Sequence, residues 1–181
     1  MSLRGLLVML LVLPLALAGC ASAPPAARTL REGHLTLDIP SGWRSSVARH
    51  HRRGVYYSVV TLEGPGNALM IYTVYDRVVS TSLREYADDT ATGRSEEMGE
   101  SATTTGGISK RGELSVGGVP CESIEQEFDA VVPGARVLHR AKFVQLTRAS
   151  RTAFILLQAS VDDWRIVEAD FASILAHTRL E

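Results

Sequence analysis

From His34 to Trp43 the chain reads HLTLDIPSGW. Leu35, Leu37 and Ile39 alternate with polar residues, the two-residue period of a strand with one buried face. Pro40, Ser41 and Gly42 then turn the chain, so that Trp43 packs back as a cover. GVYYSVVTLE and ALMIYTVYD are β-branched, aromatic or apolar at nearly every position, and GPGN (Gly64 to Asn67) joins them. That pattern predicts a hairpin of two long strands with both faces covered. Ser82 and Glu85 have capping-box spacing, and Leu83, Tyr86, Ala87 and Ala91 lie along one face of the helix that follows. Its last turns, GRSEEMGE, are weak, and SATTTGGIS (Ser101 to Ser109) reads as a mobile loop. GELSV and PCESIEQEF flank Gly117-Gly118-Val119, a second hairpin signal. RVLHRAKFVQLT alternates as a half-exposed strand does, whereas TAFILLQASV has no polar break from Ala153 to Leu157 and reads as a central strand. A closing helix begins near Asp162, with Trp164, Val167, Phe171, Ile174 and Leu175 on one stripe. Asp162 and Asp163 sit at its positive end, His177 and Arg179 at its negative end. Strands that follow one another through tight turns run antiparallel. The expectation is an α+β fold, one antiparallel β-sheet flanked by helices.

The first residues follow a different pattern. Leu6 to Ala18 is apolar apart from Pro14, and Arg4 precedes it. The run is shorter than the roughly 20 residues a spanning helix needs. A short charged start, an apolar middle and small residues at the end predict a signal peptide over residues 1–19. Leu17-Ala18-Gly19-Cys20 resembles the bacterial lipobox. The resemblance implies a diacylglycerol on the Cys20 sulfur, cleavage before Cys20 and acylation of the new amino group. More than one acyl chain gives stable anchoring, since each buried methylene contributes roughly 0.8 kcal/mol. Residues 20–30, with ASAPPAA at 21–27, are expected to form a tether that holds the domain off the lipid. Ala rather than Asp at position 21 resembles lipoproteins sorted to the outer membrane, with the domain in the periplasm. Residues 31–181 are expected to fold as a single domain.

Composition narrows the partner classes. The chain carries 19 Lys+Arg against 20 Asp+Glu, and loss of the leader with Arg4 leaves a balance of −2. Near-neutral charge argues against nucleic acid. Export implies an oxidising compartment, yet with Cys20 lipidated Cys121 has no partner, so no disulfide framework is expected. No cofactor or metal is implied, because the chain lacks a Gly-rich phosphate cradle, a G-x-S-x-G elbow, an H-E-x-x-H pair and a calcium loop.

LTLDIPSGW, TSLREYADD, ELSVGGVPCESIEQEF and the closing AFILLQASVDDWRIVEADFASIL, in that order, resemble the PsbP-like and DcrB-like domains over most of the chain after residue 30. The resemblance implies a PsbP-like α/β/α sandwich, a central antiparallel sheet with helices on both faces. It also implies a non-catalytic module that binds proteins or assists assembly, with no catalytic residues to carry over. The metal-binding positions of some photosynthetic members have no counterpart that can be placed here.

WRSSVARHHRR (Trp43 to Arg53) concentrates four arginines and two histidines before the first long hairpin strand. As a functional surface, Arg49, His50, His51, Arg52 and Arg53 would dock an acidic partner or anionic headgroups, arginine forks matching phosphate geometry. The plainer alternative is a solvated loop. A metal reading of His50 and His51 is disfavoured, since neighbours in extended chain point to opposite sides and no third ligand accompanies them. Cys121 reads as packing, a small hydrophobe with no catalytic partners suggested around it. Glu122, Glu125 and Glu127 read as a solvated or cross-strand-paired edge in preference to a glycosidase pair. Tyr56, Tyr57, Tyr72 and Tyr75 either pack on the sheet or line a cleft for an aromatic or lipidic ligand. The expected function is therefore an envelope binding or assembly-accessory lipoprotein with a protein partner. Its rivals are a small-ligand or lipid carrier and, less favoured, a hydrolase of envelope polymers.

Overall fold

The computed structural model describes residues 26–52, 54–98, 102–103, 110–132 and 135–181. In chain order the elements are β1 (Arg28–Glu32), β2 (Leu35–Ile39), β3 (Arg44–Arg52), β4 (Val55–Glu63), β5 (Leu69–Tyr75) and α1 (Leu83–Met98). There follow β6 (Ala102–Thr103), β7 (Lys110–Val116), β8 (Val119–Val132), β9 (Ala135–Arg148), β10 (Arg151–Ser160), α2 (Val161–Ala176) and β11 (Arg179–Leu180). Eight strands form one sheet in the order β3-β4-β5-β10-β9-β8-β6, with β7 also paired to β8. A second sheet of three strands runs β1-β2-β11. Every pairing among the described residues is antiparallel.

Both hairpins, the central strand and both helices stand where the apolar pattern puts them. Four features differ. The described residues form two sheets and not one, because β1 (RTLRE) is mostly polar and β11 is only two residues long, so neither carries a strand period. β1 begins at Arg28, so its first three residues lie in the stretch expected as tether. The basic run before β4, weighed as a loop, is strand β3. Arg179, expected at the end of the closing helix, belongs to β11, and the last turn of α2 holds no basic residue.

The sheet's alternation sorts the core into two layers. Ala153, Ile155, Leu157 and Ala159 of β10 join Trp164, Val167, Phe171, Ile174 and Leu175 of α2 on one face. Phe154 and Leu156 join Leu83 and Ala87 of α1 on the other. The bulk of the molecule is nonetheless strand, and helical cover is incomplete, since β3 is exposed almost throughout. Covering of both faces holds well for β5 and less for β4, whose residues are mostly half-buried. Trp43 is fully buried, its ring edge-on to Phe171 at 5.7 Å and its Nε1 donating to Asp170 Oδ2 at 2.7 Å.

Local chemistry starts and stops the helices. The Ser82 hydroxyl accepts from the Glu85 amide at 3.2 Å while the Glu85 carboxylate accepts from the Ser82 amide at 2.7 Å, a reciprocal cap. That bonding holds the Glu85 carboxyl below the usual carboxylate range. Ser160 caps α2 by accepting from the Asp163 amide, and its own amide donates to Asn67 Oδ1 at 2.8 Å, tying the first hairpin loop to the helix. At the far end Thr178 Oγ1 donates to Ile174 O and meets the buried Tyr72 hydroxyl at 2.9 Å. Gly117 and Gly118 turn β7 into β8 with φ of 56° and 79°, as a two-residue primed turn requires. The Gly117 amide donates to Leu175 O, and a Cβ there would collide with Thr178 O. No helix among the described residues is long and apolar enough to cross a membrane.

Candidate functional site

The basic run forms the outer strand of the larger sheet. Its register with β4 passes from Arg44↔Glu63 to Arg52↔Val55. Alternation divides the described residues of the predicted patch between the two faces. Arg49 lies in the row Arg49–Ser58–Val74, on the face that packs against α2 and the small sheet, and His51 is on the same side. His50 lies in the row His50–Tyr57–Tyr75, on the face that α1 covers, and Arg52 shares that side. Arg53 falls outside the described residues, as do Leu17, Ala18, Gly19 and Cys20.

Each side chain has a distinct setting. Arg49 grips Glu32 of β1 with two bonds, Nε to Oε1 at 2.7 Å and Nη2 to Oε2 at 2.6 Å. Glu32 is 9% exposed and Arg49 77%, so the buried carboxylate is satisfied by a guanidinium that itself stays in water. The bonds to Glu32, and then its charge, raise the Arg49 pKa further. His50 stacks on Tyr57 at 4.9 Å and His51 on Tyr56 at 4.0 Å, each on its own face of the strand. Arg52 ends the strand without an ion pair to a described residue, whereas exposed Arg44 stands 3.8 Å from Glu63. The two histidines therefore do not converge, and among the described residues no three His, Cys, Asp or Glu side chains gather as a metal site would.

A cleft opens on each side of this end of the sheet. Between the β1–β2 turn and strands β3 to β5 lies a cavity of about 190 Å³, lined by Glu32, His34, Arg49, Tyr56, Val74 and Arg151 among others. Arg151 holds its floor, in contact with His34 Nε2 at 2.9 Å and donating to Glu181 O at 2.7 Å. On the opposite face a groove of about 680 Å³ runs from the ends of β4 and β5 to the start of α1. Arg52, Tyr57, Tyr75, Val78, Thr81 and Asp89 line it. Tyr56, Tyr57 and Tyr75 thus reach clefts, while Tyr72 is core, and burial pushes its phenol strongly upward in pKa. Burial also raises Tyr75, with a smaller contribution from Tyr57. Glu32, His34, Asp89 and Arg151 enter these clefts from separate elements, and no local motif in the sequence marks them.

The other sequence candidates have structural partners. Glu125 sits 3.4 Å from both Arg140 and Lys142, Glu127 is 3.1 Å from Arg140, and Glu122 is 3.6 Å from Arg111. These are cross-strand ion pairs, in the register Glu125↔Lys142 and Glu127↔Arg140. β8 is flanked on both sides, so the carboxylates line an interior strand and not an edge. Arg140 and Lys142 in turn cover the Trp164 ring at 5.7 and 5.3 Å. Cys121 is a buried free thiol whose pKa burial raises, the opposite of an activated nucleophile.

The architecture is PsbP-like. A solution structure of cyanobacterial PsbP (CyanoP) from Synechocystis superposes with a TM-score of 0.52 at 11% identity, over 89% of this chain and 96% of that one. A crystal structure of a Pseudomonas aeruginosa protein of unknown function matches more loosely, with a TM-score of 0.34 at 17% identity over 83% and 94% of the two chains. No family model matches the sequence, and no curated protein does.

Proposed function

We propose that the protein is a lipid-anchored envelope component whose PsbP/DcrB-like domain is a non-catalytic binding or assembly-accessory module. In this reading Cys20 carries the lipid, the membrane is the outer one of a two-membrane bacterium, and the domain meets a protein partner in the periplasm. The observation that carries the binding role is β3, a strand exposed on nearly every residue and rich in cations at the border of the larger sheet. The candidate catalytic groups point the same way. Cys121 is buried with a raised pKa, and Glu125 and Glu127 are engaged by Arg140 and Lys142. A labelled palmitate feed tests the anchor: wild type incorporates label and pellets with membranes, and Cys20→Ser does neither. Cross-linking in living cells then tests the role. One dominant protein attached to the domain supports the module, and none would overturn it.

The groove beside α1 favours a carrier as second reading. At about 680 Å³ it lies within the usual range of ligand sites, about 300–1,000 Å³, with a mixed lining in which Tyr57, Tyr75 and Val78 stand beside Arg52, Arg77 and Asp89. A small molecule that recurs in native mass spectra of the full chain, in place of a cross-linked protein, would transfer the role to this groove.

A further inference from the structure

β3 is the terminal strand of the larger sheet, exposed from Ser46 to Arg52. It pairs with β4 residue for residue from Arg44↔Glu63 to Arg52↔Val55 without a bulge, and no described strand pairs its other side. On that side every second residue presents a backbone N–H and C=O with no ladder partner, a ready template for another strand. Two devices that commonly close such an edge are missing: the bulge, and a proline anywhere in RSSVARHHR. Ser45 Oγ accepts from Arg28 Nη2 at 2.9 Å, while Ser46 and Ala48 are small and exposed, so backbone can approach closely beyond Ser45.

Charge selects what can be added. β3 contains Arg44, Arg49 and Arg52 with His50 and His51, and no carboxylate. Glu63 and Glu32 answer Arg44 and Arg49, but Arg52 has no described ion pair. A second copy of the chain is a poor occupant. Antiparallel self-pairing centred on Ala48 would set Arg44 opposite Arg52, and parallel pairing in register would set Arg49 opposite Arg49. Like charges directly across a ladder are destabilising. An extended segment with carboxylates facing the His50–Arg52 end meets the opposite condition. Strand addition of this kind takes affinity from main-chain bonds and selectivity from alternate side chains.

We propose that the β3 edge docks an extended acidic segment of a protein partner, which adds to the larger sheet as a ninth strand. This rests on the binding-module reading and specifies its surface.

The test uses the full chain, labelled with nitrogen-15 in zwitterionic detergent, and a twelve-residue peptide of alternating Glu and Val. A Lys/Val peptide and phosphatidylglycerol vesicles serve as comparisons. Alternate amides of β3 should exchange at least tenfold more slowly with the Glu/Val peptide, and the residues between them should not change. Arg52→Glu should weaken binding at least fivefold and Arg52→Gln by less, with the amide spectrum elsewhere preserved as the check on folding. Equal binding by the Lys/Val peptide, protection without alternation, or no protection would overturn the proposal. So would shifts confined to the clefts, or a β3 response to vesicles and not to the peptide. If cells yield a cross-linked partner while β3 amides stay silent, this inference falls and the module reading stands. If neither responds, both fall.

Discussion

β10 and β3 are strands of the same sheet with opposite surroundings. β10 runs between β5 and β9, with α2 over one face and α1 over the other, and its five consecutive apolar residues from Ala153 to Leu157 are all buried, ahead of half-buried Gln158. β3 has a neighbour on one side and is exposed from Ser46 to Arg52. β3 is thus held by its ladder to β4, the Arg49–Glu32 pair and the histidine–tyrosine stacks without a buried face of its own. Burial decides whether side chains stabilise the domain or remain available to another molecule. A strand with two buried faces shows itself in sequence as an apolar run. A strand with two wet faces reads as a polar loop, because no period of hydrophobicity is imposed on it.

That contrast can be broken or sharpened by measurement. Phe154 of β10 is fully buried, stacked on Tyr86 at 4.5 Å and edge-on to Tyr75 at 6.1 Å. Phe154→Ala should cost about 3–5 kcal/mol in denaturant unfolding, from lost transfer energy and the cavity left behind. The turn wedged under the end of α2 comes next. Gly117→Ala combines a positive φ with a collision against Thr178 O and should cost about 2–3 kcal/mol. Gly118→Ala, with a positive φ and open space, should cost only about 1 kcal/mol. Equal costs would show that the docking of this turn on α2 contributes little.

The buried phenols give the contrast a pH dependence. Burial raises Tyr72 and Tyr86 above their ordinary value of 10.0, so the unfolded chain loses these protons first. Their contribution is complete below about pH 10 and declines as the pH rises above it, by up to about 1.4 kcal/mol per pH unit for a fully buried phenol. Cys121, also raised by burial, starts a weaker decline from about pH 9. Tyr72→Phe should cost about 1 kcal/mol at neutral pH through the lost bond to Thr178, and should flatten the alkaline slope of unfolding. A slope unchanged by that substitution would mean that water reaches the phenol. The smallest effects belong to β3. Val47→Ala and Arg52→Gln should each change stability by less than about 0.5 kcal/mol. A cost above about 1.5 kcal/mol for Val47→Ala would mean that β3 is covered, and the comparison with β10 would collapse.

Most of the fold was legible because its signals are local. The stripe Trp164, Val167, Phe171, Ile174 and Leu175 is the buried face of α2, residue for residue. Ser82 with Glu85, and Gly117 with Gly118, mark a helix start and a turn through bonds and dihedral angles within a few residues. Less of the site could be read. The cation cluster was visible as composition, but not that it forms a strand, nor that Arg49 turns to Glu32 while His50 and Arg52 face the other way. The clefts were not legible at all, since His34 and Arg151 meet from positions 117 residues apart. No spacing rule links residues brought together only by sheet order.

By itself the sequence determined both helices and the strands that bury a face, where they turn, and which side chains seek the core, since these follow from residue period, capping and glycine stereochemistry. The tertiary structure alone decided that β1, β2 and β11 form a sheet of their own, that the basic run is the edge strand β3, and which charges face each other across the clefts. Those outcomes depend on the order in which strands pair, a choice made by long-range packing of whole faces and one that no local stretch encodes.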